Sequence, residues 1–125
     1  GAQAVLLPPG NTDAFAPKVV RSGMGAHFRL PIHHFPWDVI EHLLHGLAVF
    51  HADMQGDHIC WQADFRQPLA LLIGGEAEGI SPEGARLATS SVRIPMAGET
   101  ESLNAAISAS LLMFEVFRQR SGSKA

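Results

Sequence analysis

Two short segments hold the residue types best suited to chemistry. The first is Ile73-Gly74-Gly75-Glu76-Ala77-Glu78-Gly79-Ile80, set between a continuous apolar run and the helix-opening pair Ser81-Pro82. In open α/β sheets the loops at the carboxyl ends of strands form the ligand crevice, and glycines there allow close backbone approach. The segment is neither a Walker loop nor a GxGxxG fingerprint, because the lysine and the glycine spacing are missing. Glu76 and Glu78 would repel a phosphate, so a cationic or neutral nucleoside suits the loop better than a nucleoside triphosphate. A tight turn with a glycine-rich helix entry is the alternative.

The second segment, Ile94-Pro95-Met96-Ala97-Gly98-Glu99-Thr100-Glu101-Ser102-Leu103-Asn104, again reads as strand, turn and helix start. Pro95 and Gly98 shape the turn. Ser102 and Asn104 bring a hydroxyl and an amide to the first turn of the last helix, where they either cap free backbone donors or face a ligand.

A third feature is charge. Residues 14–37 contain Lys18, Arg21 and Arg29, three histidines and no acid, in a chain of net charge -3. The overall balance argues against a general electrostatic nucleic-acid binder, but a local basic patch or an ordinary solvated face both fit this stretch. His42 and His45 stand three apart, yet no HExxH pattern or third ligand accompanies them, so no metal is expected.

The elements that must position these segments follow from periodicity and breakers. Ala4 to Leu7 reads as a strand closed by Pro8-Pro9-Gly10, and Asn11, Thr12 and Asp13 offer caps for a helix from Pro17 towards Met24. Phe28 to Ile32 reads as a second strand ending in a His33-His34 turn. Pro36, Val39, Ile40, Leu43 and Leu44 predict an amphipathic helix stopped by Gly46. Strands are predicted over Leu47 to His51, Leu69 to Ile73 and Val92 to Ile94, with an ambiguous piece from Cys60 to Gln67. Short and long helices follow at Ser81 and from about Ser102 to Phe117, leaving a frayed tail from Gln119. Apolar strands alternating with helices predict an α/β fold, a parallel sheet with helices on both faces.

With 125 residues, 46% of them hydrophobic and 17% charged, the chain suits one domain with a real core. Cys60 is the only cysteine, which excludes an internal disulfide and suits a reducing cytoplasm. The apolar runs fall far short of the ~20 residues that span a bilayer, and no signal peptide opens the chain, so a soluble cytoplasmic protein is expected.

The two loops, in this order, with Pro17-Lys18-Val19-Val20-Arg21-Ser22-Gly23-Met24-Gly25-Ala26-His27-Phe28-Arg29-Leu30-Pro31-Ile32 upstream, resemble the SpoU-type RNA 2'-O-methyltransferases of the SPOUT class. The resemblance runs from about residue 1 to residue 120, followed by a frayed tail at 121–125. It implies a parallel α/β fold with a deep carboxyl-terminal trefoil knot, and methyl transfer from S-adenosylmethionine to a ribose 2'-hydroxyl of tRNA or rRNA. Carried over by position, it implies cofactor contacts from Gly74, Glu76, Gly79, Ile94, Met96 and Leu103. Glu76, Ser102 and Asn104 match polar active-site positions, and Lys18, Arg21, Ser22 and Arg29 fall in a segment suited to RNA.

Gly75 stands where the family often has asparagine, and Ala77 where glycine is common. The family's first motif, with its asparagine and a proton-accepting arginine, would lie before Gly1, and slow or absent transfer by this chain is the expectation. A non-enzymatic RNA-binding or dimerisation module of the same fold is the second reading. The mostly apolar last helix, with Leu103, Ile107, Leu111 and Phe114 in one stripe, implies a homodimer through that helix.

Overall fold

Apolar strands separated by helices call for crossovers rather than hairpins, and among the described residues every pairing between strands is parallel. The structure, a computed structural model, describes residues 1–11, 13–75, 79–98 and 103–122. It forms two compact units, Gly1–His45 and Gly46–Ala125.

In the first unit, strand β1 (Val5–Leu7) pairs with β2 (Ile32–His34) in the register Val5 to Ile32. Between them lie helix α1 (Pro17–Ser22) and a 3-10 turn (Ala26–Phe28), and helix α2 (Trp37–Leu44) follows. Pro17 opens α1 at a position where a missing N–H costs nothing. The expected cap is not used: Ala16 holds that position, while Asp13 Oδ1 accepts the N–H of Phe15 and Asn11 donates to Pro8 O. Thr12 lies outside the described residues.

The second strand starts later than its pattern suggests. Met24 and Gly25 take positive φ values of 49° and 89°, winding residues 26–28 into the 3-10 turn. Pairing begins only after Pro31, so His33 and His34 are strand residues rather than a turn. His45 caps α2 in an extended conformation, so it does not share a helical face with His42.

The second unit contains β3 (Ala48–Ala52), β4 (His58–Ile59), β5 (Leu69–Leu72), α3 (Pro82–Leu87), β6 (Ser90–Arg93) and α4 (Ala105–Gly122). Its four strands lie in the order β4-β6-β3-β5. Ser81 caps α3 as expected, accepting the N–H of Gly84 at 3.2 Å. The core gathers Phe50, Cys60, Phe65, Val92 and Leu112, and the Phe50 and Phe65 rings meet edge to face at 4.9 Å. Each large side chain buried there stabilises the fold by about 1.5–3 kcal/mol.

Helix α4 differs from expectation at both ends. It starts after Asn104, whose Oδ1 accepts the N–H groups of Ala106 and Ile107 at 2.8 and 3.3 Å, and it runs to Gly122. Residues 119–122, expected to fray, are helical because Gln119 and Arg120 are tied to the segment around Phe65. Gln119 accepts the Phe65 N–H at 2.7 Å and donates to Ala63 O at 3.0 Å; Arg120 Nε donates to Phe65 O at 3.0 Å. The buried residues of α4 are Leu112 and Glu115, while Ile107, Leu111 and Phe114 of the apolar stripe are exposed. These three residues therefore face away from the core, whereas Leu103 is half-buried.

Candidate functional site

Strand β3 is the point where strand order reverses, since β5 pairs on one side of it and β6 on the other. Loops leaving neighbouring parallel strands in opposite directions open a crevice at such a point. A cavity of about 450 Å³ occupies it. Its walls come from the end of β3 and the following turn (His51, Ala52, Asp53, Met54), the loop after β5 (Ile73, Gly74, Gly75, Gly79, Ile80), β6 and its loop (Val92, Ile94, Met96), and the start of α4 (Leu103, Ala105, Ser108).

The loop after β5 is pinched shut. Gly75 and Gly79 exchange backbone hydrogen bonds at 3.1 Å in both directions, and Gly79 has a φ of 67°. A Cβ on Gly74 would lie 2.5 Å from the carbonyl carbon of Gly79, so only glycine lets the two backbone stretches pass. Gly98 takes a φ of 81° in the turn after β6. The turn after β3 is equally tight: the Asp53 N–H donates to Val92 O at 2.9 Å, and the Gly56 N–H donates to Asp53 O at 3.0 Å.

Five sequence-predicted positions, Gly74, Gly79, Ile94, Met96 and Leu103, thus come together around one cavity. Glu76 and Ser102 lie outside the described residues. Asn104 is exposed and caps α4, which is the structural alternative raised by its position. Lys18, Arg21 and Ser22 lie on α1, with Arg29 just after the 3-10 turn, and all four are exposed in the first unit. Sequence reading missed His51, Asp53, Met54 and Ser108. His51 lies within β3 and Asp53 and Met54 just after it, and nothing in their composition marks them as the glycines mark the other loops.

A polar cluster ties α4 to the segment before β5. Glu115 bonds Arg118 at 2.7 and 2.9 Å and accepts from Gln119 at 2.9 Å. The Arg118 hydrogen bonds hold the Glu115 carboxyl below the usual range against the opposing effect of burial. Burial, then the Glu115 charge, pushes the Cys60 thiol up. On the surface, Arg66 draws Asp64 down to about 2.

A sequence profile of the SpoU rRNA Methylase family matches residues 1–114. The chain belongs to that family. Among SpoU relatives, the 23S rRNA (uridine(2479)-2'-O)-methyltransferase of Streptomyces viridochromogenes is 36% identical over 96% of this chain and 45% of its own length. The mitochondrial rRNA methyltransferase 3 of Homo sapiens is 32% identical over 98% of this chain and 42% of its own. The crystal structure of the SpoU methyltransferase AviRb from Streptomyces viridochromogenes, in complex with the cofactor AdoMet, superposes with a TM-score of 0.89. It is 35% identical over 98% of this chain and 51% of that one. The chain spans less than half the length of these two curated SpoU relatives. The resemblance carried by the loops is therefore a family relationship, and the α/β fold with parallel sheets is the fold of SpoU structures.

Proposed function

We propose that this chain is the S-adenosylmethionine-binding part of an RNA methyltransferase that acts on a ribose 2'-hydroxyl of tRNA or rRNA. The observation that carries the reading is the cavity gathering Gly74, Gly79, Ile94, Met96 and Leu103 at the strand-order reversal. Its volume lies within the range of small-ligand sites. The lining fits the cofactor: apolar walls from Ile73, Ile94 and Leu103 suit adenine, and the glycine-rich backbone offers amide and carbonyl groups at close range. Among the described lining residues there is no lysine or arginine, as suits a ligand without phosphate.

When bound, the cofactor supplies an electrophilic methyl group on a sulfonium. In this reading Gly74, Ile94 and Leu103 hold it through their backbones, with Glu76, Gly79 and Met96 completing the site. Glu76, Ser102 and Asn104 orient the ribose and its phosphate, so that positioning supplies much of the rate. These three roles come from the family motifs. The cap formed by Asn104 supports a fixed position for it at the head of α4.

Lys18, Arg21, Ser22 and Arg29 contact the RNA backbone in this proposal. The same segment leaves Met24 90% and Phe28 88% exposed, which adds surfaces on which an unpaired base can stack. The proposal extends to one methyltransferase domain over residues 1–120, a trefoil knot in its carboxyl-terminal part, a homodimer through α4 and a cytoplasmic location. Supporting these are the likeness to SpoU structures, the exposed apolar stripe of α4 and the free, buried Cys60. Among the described residues no helix is long and apolar enough to cross a membrane.

The test is calorimetric titration with S-adenosylmethionine, then transfer of tritiated methyl to bulk tRNA and rRNA with nucleoside analysis. Cofactor binding and a 2'-O-methylated nucleoside are expected. RNA binding without cofactor binding would favour the non-enzymatic module instead.

A further inference from the structure

We propose that Asp53 makes the cavity select a cationic ligand, so that it holds the sulfonium form of the cofactor more tightly than the demethylated thioether. This rests on the reading that S-adenosylmethionine is the ligand. Asp53 is the only Asp, Glu, Lys or Arg among the described lining residues, and apart from His51 and Ser108 the rest are apolar or glycine. Asp53 is itself exposed, so its charge reaches a ligand in the cavity through partly screened surroundings and the effect is modest and salt-dependent.

The carboxylate is also held. Its Oδ1 accepts the N–H of Gln55 at 2.9 Å, and its backbone is bonded on both sides, to Val92 O and the Gly56 N–H. Behind the turn, Gly56 packs so closely on β6 that a Cβ would lie 2.6 Å from the carbonyl carbon of Val92. The turn therefore has little freedom to carry the charge away from the cavity. Substrate and product forms of the ligand are nearly the same shape and differ by one positive charge at sulfur. Shape complementarity discriminates poorly between them, whereas a fixed negative charge in the wall does so directly.

The experiment measures dissociation constants of S-adenosylmethionine and S-adenosylhomocysteine by calorimetry for the wild-type chain, Asp53→Asn and Asp53→Ser, at low and high salt. Both substitutions keep an oxygen able to accept the Gln55 N–H. In both variants the preference for the sulfonium form should fall about 3- to 10-fold, as one partly screened charge pair predicts. In wild type that preference should shrink with salt, as the screening length drops from about 10 Å at 0.1 M to about 3 Å at 1 M; in the variants it should not. Equal weakening of both ligands, or an unchanged preference, overturns the inference while leaving the cofactor reading intact. A wild-type chain that binds neither ligand overturns both.

Discussion

Gln119 accepts the backbone N–H of Phe65 through Oε1 at 2.7 Å, joining positions far apart in the chain at the edge of the core. The same side chain donates to Ala63 O and to Glu115, so one amide satisfies a part-buried turn and a buried carboxylate together. Gln119→Ala should destabilise the fold by about 1–3 kcal/mol, the cost of leaving a part-buried donor unpaired. Urea denaturation followed by circular dichroism measures this. A change within about 0.5 kcal/mol, typical of surface substitutions, would mean that water replaces the bond.

Glu115 links that cluster to pH. Arg118, then Gln119, holds its folded pKa below the ordinary value, against burial. A depressed carboxylate contributes stability that is fully present above its unfolded pKa, about 4.3, and is lost as pH falls through the lower folded value. The denaturation midpoint should therefore drop below about pH 4.3, and Glu115→Gln should flatten that drop while lowering stability at neutral pH. Identical acid profiles for the two proteins would remove Glu115 from the account.

Gly74 is the most sensitive position in the candidate site, because a side chain there meets the backbone of Gly79 rather than a movable side chain. Gly74→Val should open the pinched loop and weaken S-adenosylmethionine binding at least tenfold, about 1.4 kcal/mol. The core residues Phe50, Phe65 and Leu112 are untouched, so near-native circular dichroism should persist. Full affinity in the folded variant would move the ligand elsewhere.

Lys18, Arg21 and Arg29 are exposed cations in a stretch without acids. If each meets a phosphate, replacing it with alanine lowers the slope of log affinity against log salt by about 1. Filter binding across a salt series gives that slope. Unchanged slopes in all three variants would make the stretch an ordinary solvated surface.

Local patterns were readable wherever local causes act. Pro36, the apolar spacing and Gly46 marked α2, and continuous apolar runs marked β3 and β5, whereas β6 begins at Ser90, two residues before the expected Val92, because its first residues are polar and pair with β3 only in the folded sheet. The start of β2 was misread because an apolar stretch looks alike whether it pairs or coils, and positive φ at Met24 and Gly25 decided for the coil. The end of α4 was misread because its anchor, Phe65, is remote in sequence. In the site, both glycine loops stood out by composition. Asp53 did not, since its part depends on which strands become neighbours, and that order is a tertiary fact.

The outward stripe of α4 bears on assembly. A helix of a monomer turns its apolar side to the core, yet here Leu112, Glu115 and Gln119 occupy that side while Phe114 stays 72% and Phe117 63% exposed. Ile107, Leu111 and Met113 add to the same exposed surface. Monomers seldom leave contiguous apolar patches larger than a few hundred Å² uncovered, and a second copy of α4 covers such a surface with matching side chains. Light scattering at micromolar concentration should return twice the 13.4 kDa chain mass. Phe114→Asp, a change at a position outside the core, should halve that mass with little loss of monomer stability. A wild-type mass of 13.4 kDa would decide for the monomer. A dimer unaffected by Phe114→Asp and Leu111→Glu together would place the interface on another surface.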